Sequence, residues 1–465
     1  MTIKKVHLIA ACGTGMGTLA CILKEKGYNV TGSDQNVYPP MSDFLNEKGI
    51  KLFAGYDSAH LYYHPDLVII GNAVTKQNVE AQAVLQKGIP YLSMPQAVNK
   101  FIAKDKKIIL VTGTHGKTTT SSIMAHILYT AGLDPSFMIG GILKDFNSSF
   151  RIGSGEYMVI EGDEYDTAFF DKGPKFMHYD PDITIITGIE FDHADIFTDI
   201  DHIKRIFSTF VKKIEKDSHI IAFNENDNLK QILASCSASI ETYGYPGNQA
   251  QWFFLNHFQK EMKTFFDVQG PDKMVSIETI LVGRHNLFNC LACIAAAKKI
   301  GISDKNVVKA LKSFSGIKRR QEIRGIKHGI TVMDDFAHHP TAVRETIKAV
   351  KPFYKKGRVI AVFEPRTNTS MRKFFQDTYP DSFVDADMVC VCEPGIKKNI
   401  LEKDKFSTEK LVSDIEEKGV EAYHFKNYQA VINFLIPRLK SEDLVLIMSN
   451  GGFDNIHVKL LEKIK

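Results

Sequence analysis

Along the chain, short blocks of consecutive apolar residues alternate with longer stretches in which apolar positions recur every three or four residues. The blocks at 6–10, 108–111 and near 330–333 run into the polar loops CGTGMG, TGTHGKTTT and DDFAHHP, and a helical pattern follows each. A short continuous apolar run fits a strand covered on both faces. Strand, loop and helix in repetition predict α/β units built on parallel sheets.

The first unit continues with a helix at 18–26, strands at 28–32 and 67–72, and a helix before Gly88, the rhythm of a nucleotide-binding half. The second carries a helix with Ile123, Met124, Ile127, Leu128 and Ala131 on one face. Strands at 157–161, 183–188 and 218–224 follow, then a polar, aromatic stretch at 236–280 expected to form β-hairpins, and a helix at 286–299. Strands at 358–363, 388–393, 420–425 and 444–449 belong to the third. The charged run 104–107 and the stretch 316–325 read as joins, which sets the expected domains at 1–105, 106–316 and 317–465. A chain of 465 residues carries roughly three domains at about 150 residues each.

Hydrophobic residues at 44% and charged residues at 24% give the balance of an ordinary globular protein and exclude a disordered chain. A net charge of +4 gives no support for a nucleic-acid binder. No stretch approaches the roughly 20 apolar residues of a membrane span, and the first apolar run ends in a glycine turn, as a strand does and a signal peptide does not. The seven cysteines are odd in number and mostly set in apolar runs, so the expected compartment is the reducing cytoplasm. Cys290 and Cys293 have metal or redox spacing, but no second pair answers them, and they are expected to be buried thiols on a helix.

The most specific chemistry lies in Thr112–Thr119, between a strand and a helix. Phosphate loops use glycines to turn backbone N–H groups toward the anion, a lysine for the β/γ-phosphates and a hydroxyl for Mg²⁺. Gly113, Thr114, His115, Gly116, Lys117, Thr118 and Thr119 supply these parts, although only two residues separate the glycines where the general pattern has four. Next, EGDEYD at 161–166 sets four carboxylates in six residues, which repel unless a cation or water sits among them. Glu161 ends its strand and is the best candidate Mg²⁺ ligand. In EFDHAD at 190–195, His193 with Asp192 or Asp195 offers a second metal position. Gly13, Thr14, Gly15, Met16 and Gly17, with Asp34 after the next strand, imitate a dinucleotide fingerprint lacking its last glycine, and are read as a nucleotide-diphosphate site. Ser33 and Asn72 fall at neighbouring strand ends and join that expected site. Arg320 and His338 are candidates for ATP phosphates, and Arg366 for a substrate carboxylate held bidentately.

At this point the sequence resembles the Mur ligases, ATP-dependent amide-forming enzymes of peptidoglycan metabolism. TGTHGKTTT, EGDEYD, EFDHADIF, GRHNLFNCLA, RRQEIRG, DDFAHHPTA and MSNGGF occur in the family's order. The resemblance implies a Rossmann-like N-terminal domain for a UDP-sugar, a central P-loop ATPase-type α/β domain, and a Rossmann-like C-terminal domain for the amino substrate. By motif position it makes Lys117 the β/γ-phosphate lysine, Thr118, Glu161 and His193 the Mg²⁺ ligands, and Asn286 a neighbour of adenine. Arg320, Asp335 and His338 would approach the nucleotide from the C-terminal domain, with Arg366 and Asn450 beside the amino substrate. Segments 32–42, 69–74, 168–172, 193–197, 364–369 and 448–453 resemble the branch that takes a whole peptide.

The implied substrates are therefore UDP-N-acetylmuramate and a murein tripeptide, joined through an acyl phosphate at the expense of ATP with Mg²⁺. Two rivals stand beside this reading. One is a ligase for free L-alanine, and the other is a slow ATP-hydrolysing switch protein. Position 162 is Gly where the family leads one to expect Ala, and GTGMGT replaces an expected GTFMGG.

Overall fold

The computed structural model describes residues 3–37, 41–194, 196–395 and 400–464. Residues 38–40, within the peptide-branch segment 32–42, and Asp195, one of the alternative metal partners of His193, lie outside the described residues, as does the side chain of Thr14.

Three α/β sheets follow one another. The first is parallel throughout, in the order Lys51–Ala54, Asn29–Asp34, Lys5–Ile9, Leu67–Ile70, Tyr91–Ser93. The second has ten strands. Its parallel centre runs Ser239–Gly244, His219–Phe223, Ile183–Ile186, Lys107–Thr112, Tyr157–Glu161 and Ser136–Leu143. The third places Ile330–Asp335, Leu444–Met448, Val359–Phe363, Met388–Cys392 and Glu421–Phe425 in parallel, with Glu322–Lys327 antiparallel at one edge. Ile183–Ile186, Val359–Phe363 and Leu444–Met448 are buried at every position, as continuous apolar runs in sheets covered on both faces must be.

The expected hairpins between 236 and 280 are present as Trp252–Lys260, Lys263–Gln269 and Met274–Thr279, which pair antiparallel at one edge of the second sheet. Ser239–Gly244, from the same stretch, instead joins the parallel centre. At the other edge the hairpin Ser136–Leu143 with Ser148–Arg151 has no counterpart among the expected elements. The helix expected at 18–26 starts earlier, at Thr14, and takes Gly15 and Gly17 into its first turns. A Cβ on Gly17 would lie 2.5 Å from Met41 Sδ, and one on Gly15 would lie 3.1 Å from Met94. These glycines serve close packing against the helix rather than an unusual turn.

Helix Lys117–Thr130 is buried from Thr118 to Leu128, between the central sheet and helix Arg284–Ile300. Cys290 and Cys293 are buried on the latter helix, and burial pushes the Cys290 thiol up to about 12. All seven cysteines are free. Among the described residues no helix is long and apolar enough to cross a membrane.

In each sheet the chain leaves a central strand at its carboxyl end and departs to opposite sides, which opens a crevice there. The loop after Lys5–Ile9 lies between Asp34 and Gly71. The loop after Lys107–Thr112 lies between Glu161 and Thr187. Asp335, Glu364 and Ser449 meet at the matching edge of the third sheet.

Candidate active site

The phosphate-loop candidate turns on two glycines, Gly113 at φ +120° and Gly116 at φ +79°. A Cβ on Gly113 would stand 2.5 Å from Thr187 Oγ1 and 2.8 Å from the Gly188 carbonyl oxygen. One on Gly116 would stand 2.6 Å from Asn289 Oδ1. Two positive-φ residues complete the turn here in place of a longer glycine-rich loop, and helix Lys117–Thr130 begins immediately after.

Lys117 folds back into the loop. Its Nζ donates to the carbonyls of Gly113 at 2.6 Å and Thr114 at 3.2 Å, and meets the Glu164 carboxylate at 2.9 and 2.8 Å. Burial alone would push the ammonium down, but Glu164 beside it outweighs that and holds its pKa above the ordinary value.

The four carboxylates of 161–166 do not await one shared cation. Asp163 pairs with Lys175 at 2.6 Å, Asp166 with Lys172 at 2.8 Å, and Glu164 with Lys117. Glu161 is the exception. Among the described residues it receives only neutral donors, the Thr118 hydroxyl at 3.0 Å on Oε1 and the Gly140 N–H at 2.7 Å on Oε2. Glu161 thus remains without an ion-pair partner, with a second oxygen 3.0 Å away, about the edge of an octahedron with ~2.1 Å metal–oxygen bonds. This oxygen pair fits Mg²⁺.

His193 sits at φ +56°, with Nδ1 2.8 Å from Tyr165 Oη and Nε2 4.0 Å from Glu164. Asp192 is buried beside it. Burial would raise that carboxyl, but His193, His338 and His339 hold it well below the usual range. His338 gives its Nδ1–H to the Phe336 carbonyl at 3.0 Å, so the neutral ring keeps Nε2 as acceptor, and burial lowers its pKa despite Asp192.

A cavity of about 360 Å³ lies between the second and third sheets. His115, Gly116, Thr118 and Thr119 form one end of its wall, and Phe223, Tyr245 and Phe288 give an aromatic side. Asn286, Arg320 and Asp335 line it too, and they are connected. Asn286 Nδ2 donates to Gln321 Oε1 at 3.3 Å, the Gln321 N–H donates to Asp335 at 2.7 Å, and Arg320 reaches Thr118 Oγ1 at 3.4 Å. Lys117, Glu161, His193 and His338 are off this wall, in the acidic cluster behind Thr118.

The candidates of the first sheet form a separate group. Asp34 accepts the N–H groups of Cys12 and Asn36, at 2.8 and 3.0 Å, and so pins the glycine loop. Ser33 is fully buried and bonds to buried Glu80, Asn72 is exposed, and Met16 packs against Gly71. Met138 of the central sheet lies 4.0 Å from a Cβ built on Gly15, so the glycine loop stands at the seam of two domains. In the third, the Arg366 side chain crosses Gly451, its Nη1 lies 3.7 Å from Glu364, and neighbouring Asn450 has a buried Oδ1 without a partner among the described residues.

Sequence reasoning missed Glu164, Glu190, Asn289 and Thr341. Glu164 was hidden among four carboxylates of equal claim, and the other three act through tertiary contacts that leave no spacing signal. At Gly162, where Ala was expected, a Cβ would meet Leu110, Phe176 and Thr112 at 3.0–3.1 Å.

Residues 5–106, 111–297 and 319–451 match in turn the Mur ligase family catalytic domain, the Mur ligase middle domain and the Mur ligase glutamate ligase domain. The chain is 41% identical over 465 residues to the UDP-N-acetylmuramate–L-alanyl-γ-D-glutamyl-meso-2,6-diaminoheptandioate ligase of Escherichia coli, covering 98% of each chain.

The chain belongs to the Mur ligase family.

It is also 33% identical to the UDP-N-acetylmuramate–L-alanine ligase of Clostridium tetani, over 97% of this chain and 96% of that one. A crystal structure of a murein peptide ligase from Psychrobacter arcticus superposes with a TM-score of 0.74 at 34% identity, covering 100% of this chain and 99% of the other. This Mur ligase is an ATP-dependent amide-forming enzyme, which sets the switch-protein rival aside.

Two outcomes follow from this geometry. Gly116→Ala forces a side chain into a left-handed turn, at about 1–2 kcal/mol, and against Asn289. Calorimetric titration should show nucleotide affinity at least about tenfold lower. The second concerns His285 and His339, whose pKa values burial lowers from 6.5 to about 4. The unfolded chain protonates them first as pH falls, so their contribution to stability is lost between pH 6.5 and 4. The thermal midpoint should fall across that window, with a shallower slope in His285→Gln.

Proposed function

We propose that this Mur ligase joins UDP-N-acetylmuramate to the peptide L-alanyl-γ-D-glutamyl-meso-diaminopimelate, consuming ATP. The full-length identity to the E. coli ligase of that name carries this reading, at 41% against 33% for the alanine ligase. The peptide-branch segments seen in the sequence support it, and we place the enzyme in the cytoplasm with its nucleotide substrates.

The cavity takes the nucleoside of ATP, with adenine against Phe223, Tyr245, Phe288 and Asn286. The triphosphate then runs over His115–Thr119 to the start of helix Lys117–Thr130, where free N–H groups and the helix dipole favour an anion. Lys117, held by Glu164 in the structure, turns to the β/γ-phosphates. Thr118 and Glu161 would hold Mg²⁺, with His193 beside a second position, and its charge would offset repulsion between polyphosphate and carboxylate. UDP-N-acetylmuramate occupies the crevice at Gly13–Gly17 with Asp34 and Asn72, pointing its lactyl carboxylate through the seam near Met138, while Ser33, expected among its contacts, is instead buried against Glu80 beneath the crevice.

That carboxylate attacks the γ-phosphorus, the bond to the β-phosphate oxygen breaks, and an acyl phosphate and ADP result. Arg320, next to Thr118, faces the charge that builds on the transferred phosphoryl group. The free amine of the alanyl residue then attacks the acyl carbon, and the tetrahedral adduct expels phosphate. Neutral His338 offers Nε2 to the proton released by the amine. Arg366 and Asn450, at the carboxyl edge of the third sheet, meet the peptide.

Phosphate release from Mg-ATP with UDP-N-acetylmuramate should require the tripeptide and yield a product of matching mass. Release with free L-alanine in its place would overturn the peptide assignment in favour of the alanine ligase. Lys117→Met should stay folded by circular dichroism, with a thermal midpoint lowered because buried Glu164 loses its partner, and release no phosphate at a temperature well below that midpoint. Arg366→Ala should raise the KM for peptide while leaving that for ATP near the wild-type value.

A further inference from the structure

The segment from Ile189 to Ala194 is the plate on which the C-terminal domain rests. Phe191 meets the rings of Phe374 and Phe375 at 5.8 and 6.4 Å, and the Ala194 N–H donates to Thr369 Oγ1 at 3.1 Å. The same segment is bound to the phosphate loop. Thr114 Oγ1 accepts from the Glu190 N–H at 2.8 Å and donates to the Glu190 carbonyl at 3.1 Å.

One side chain in this plate touches both partners. Glu190 Oε2 lies 3.3 Å from His115 Nε2 of the phosphate loop and accepts from Thr341 Oγ1 at 2.8 Å. Thr341 stands in the first turn of helix Pro340–Val350 of the C-terminal domain, where the helix dipole favours a carboxylate. His115, Glu190 and His339 also bring ligand atoms within 4.8 Å of one another. They do not form an open cation site. His339 Nδ1 accepts the Thr341 N–H at 3.2 Å, and its Nε2 faces the Phe191 carbonyl at 3.2 Å, so both ring nitrogens are occupied within the protein. The hydrogen-bonded relay runs from His115 through Glu190 to Thr341, with His339 beside it, and Glu190 and Thr341 also line the nucleotide cavity.

We propose that Glu190 is a positioning residue that ties the approach of the C-terminal domain to the phosphate loop. The proposal rests on the reading that ATP fills this cavity. His115, drawn toward bound phosphates, carries the Glu190 carboxylate with it. The carboxylate in turn holds the amino end of helix Pro340–Val350, and with it Asp335, Arg320 and His338, in register with the reacting groups. Removing the relay therefore leaves nucleotide binding to the central domain largely intact and loses the step that needs both domains.

The test uses the full-length enzyme. Thr341→Val keeps the volume and removes the donor, Thr341→Ser restores it, and Glu190→Gln removes the charge. Expected for Thr341→Val are a Kd for Mg-ATP, without other substrates, within about twofold of wild type, a kcat at least tenfold lower, and recovery in Thr341→Ser. Glu190→Gln and Thr341→Val should combine less than additively, as partners in one contact do. Equal kcat in Thr341→Val and wild type would overturn the proposal, as would additive effects or a loss confined to ATP affinity. Absence of Mg-ATP binding in the wild type would overturn the nucleotide reading instead. The relay is then judged by small-angle scattering of the ligand-free proteins. Expansion in Thr341→Val, reversed in Thr341→Ser, supports it, and identical profiles overturn it.

Discussion

The site is organised around one nearly buried cation. Lys117 begins a helix whose next eleven residues are buried, so its ammonium has little solvent to lean on. Removing a charge from water costs on the order of several kcal/mol unless an opposite charge and hydrogen bonds replace the water. Two loop carbonyls and Glu164 do so here. That requirement propagates outward. Glu164 can face Lys117 only if the 161–166 loop folds back over the strand end, and that fold brings Asp163 to Lys175 and Asp166 to Lys172. Glu161 is thereby left without a lysine, beside the hydroxyl of Thr118. The unequal distribution of lysines among four similar acids is what singles Glu161 out from the other three.

The two glycine loops look alike in sequence and differ in physical role. Gly113 and Gly116 are required by backbone angles that other residues adopt only under strain. Gly15 and Gly17 have ordinary helical backbone and are required by the methionines packed against them. The first kind of glycine makes the turn that leads into the amino end of a helix, while the second lets a neighbouring side chain approach. Only the surroundings tell them apart.

This explains what could be read from the residues. The apolar runs located most strands of the three parallel centres, because strands buried on both faces have few polar positions to blur them. The gathering of Lys117, Thr118 and Glu161 at one place was legible because it depends on short spacings at strand ends. The hairpin Ser136–Leu143 with Ser148–Arg151 was not, since a strand half exposed to solvent and interrupted by Gly140 and Gly141 carries a weak pattern. Glu190 and Thr341, 151 positions apart, had no local mark at all. The solution given to the carboxylate cluster was likewise invisible, because three distinct lysines meet three of its members only after folding.

An acyl phosphate is a good electrophile toward water as well as toward an amine, so the chemistry demands that the domains meet before it forms. The arrangement supplies a reason for that order. Arg320, Asp335 and His338 all lie on the C-terminal side, and Arg320 and His338 reach Thr118 and Asp192 only with the interface made. A phosphoryl group transferred without that interface would lack Arg320 and stand open to solvent. Activation and exclusion of water therefore depend on the same contacts, and an enzyme built this way gains nothing from splitting ATP in the open state.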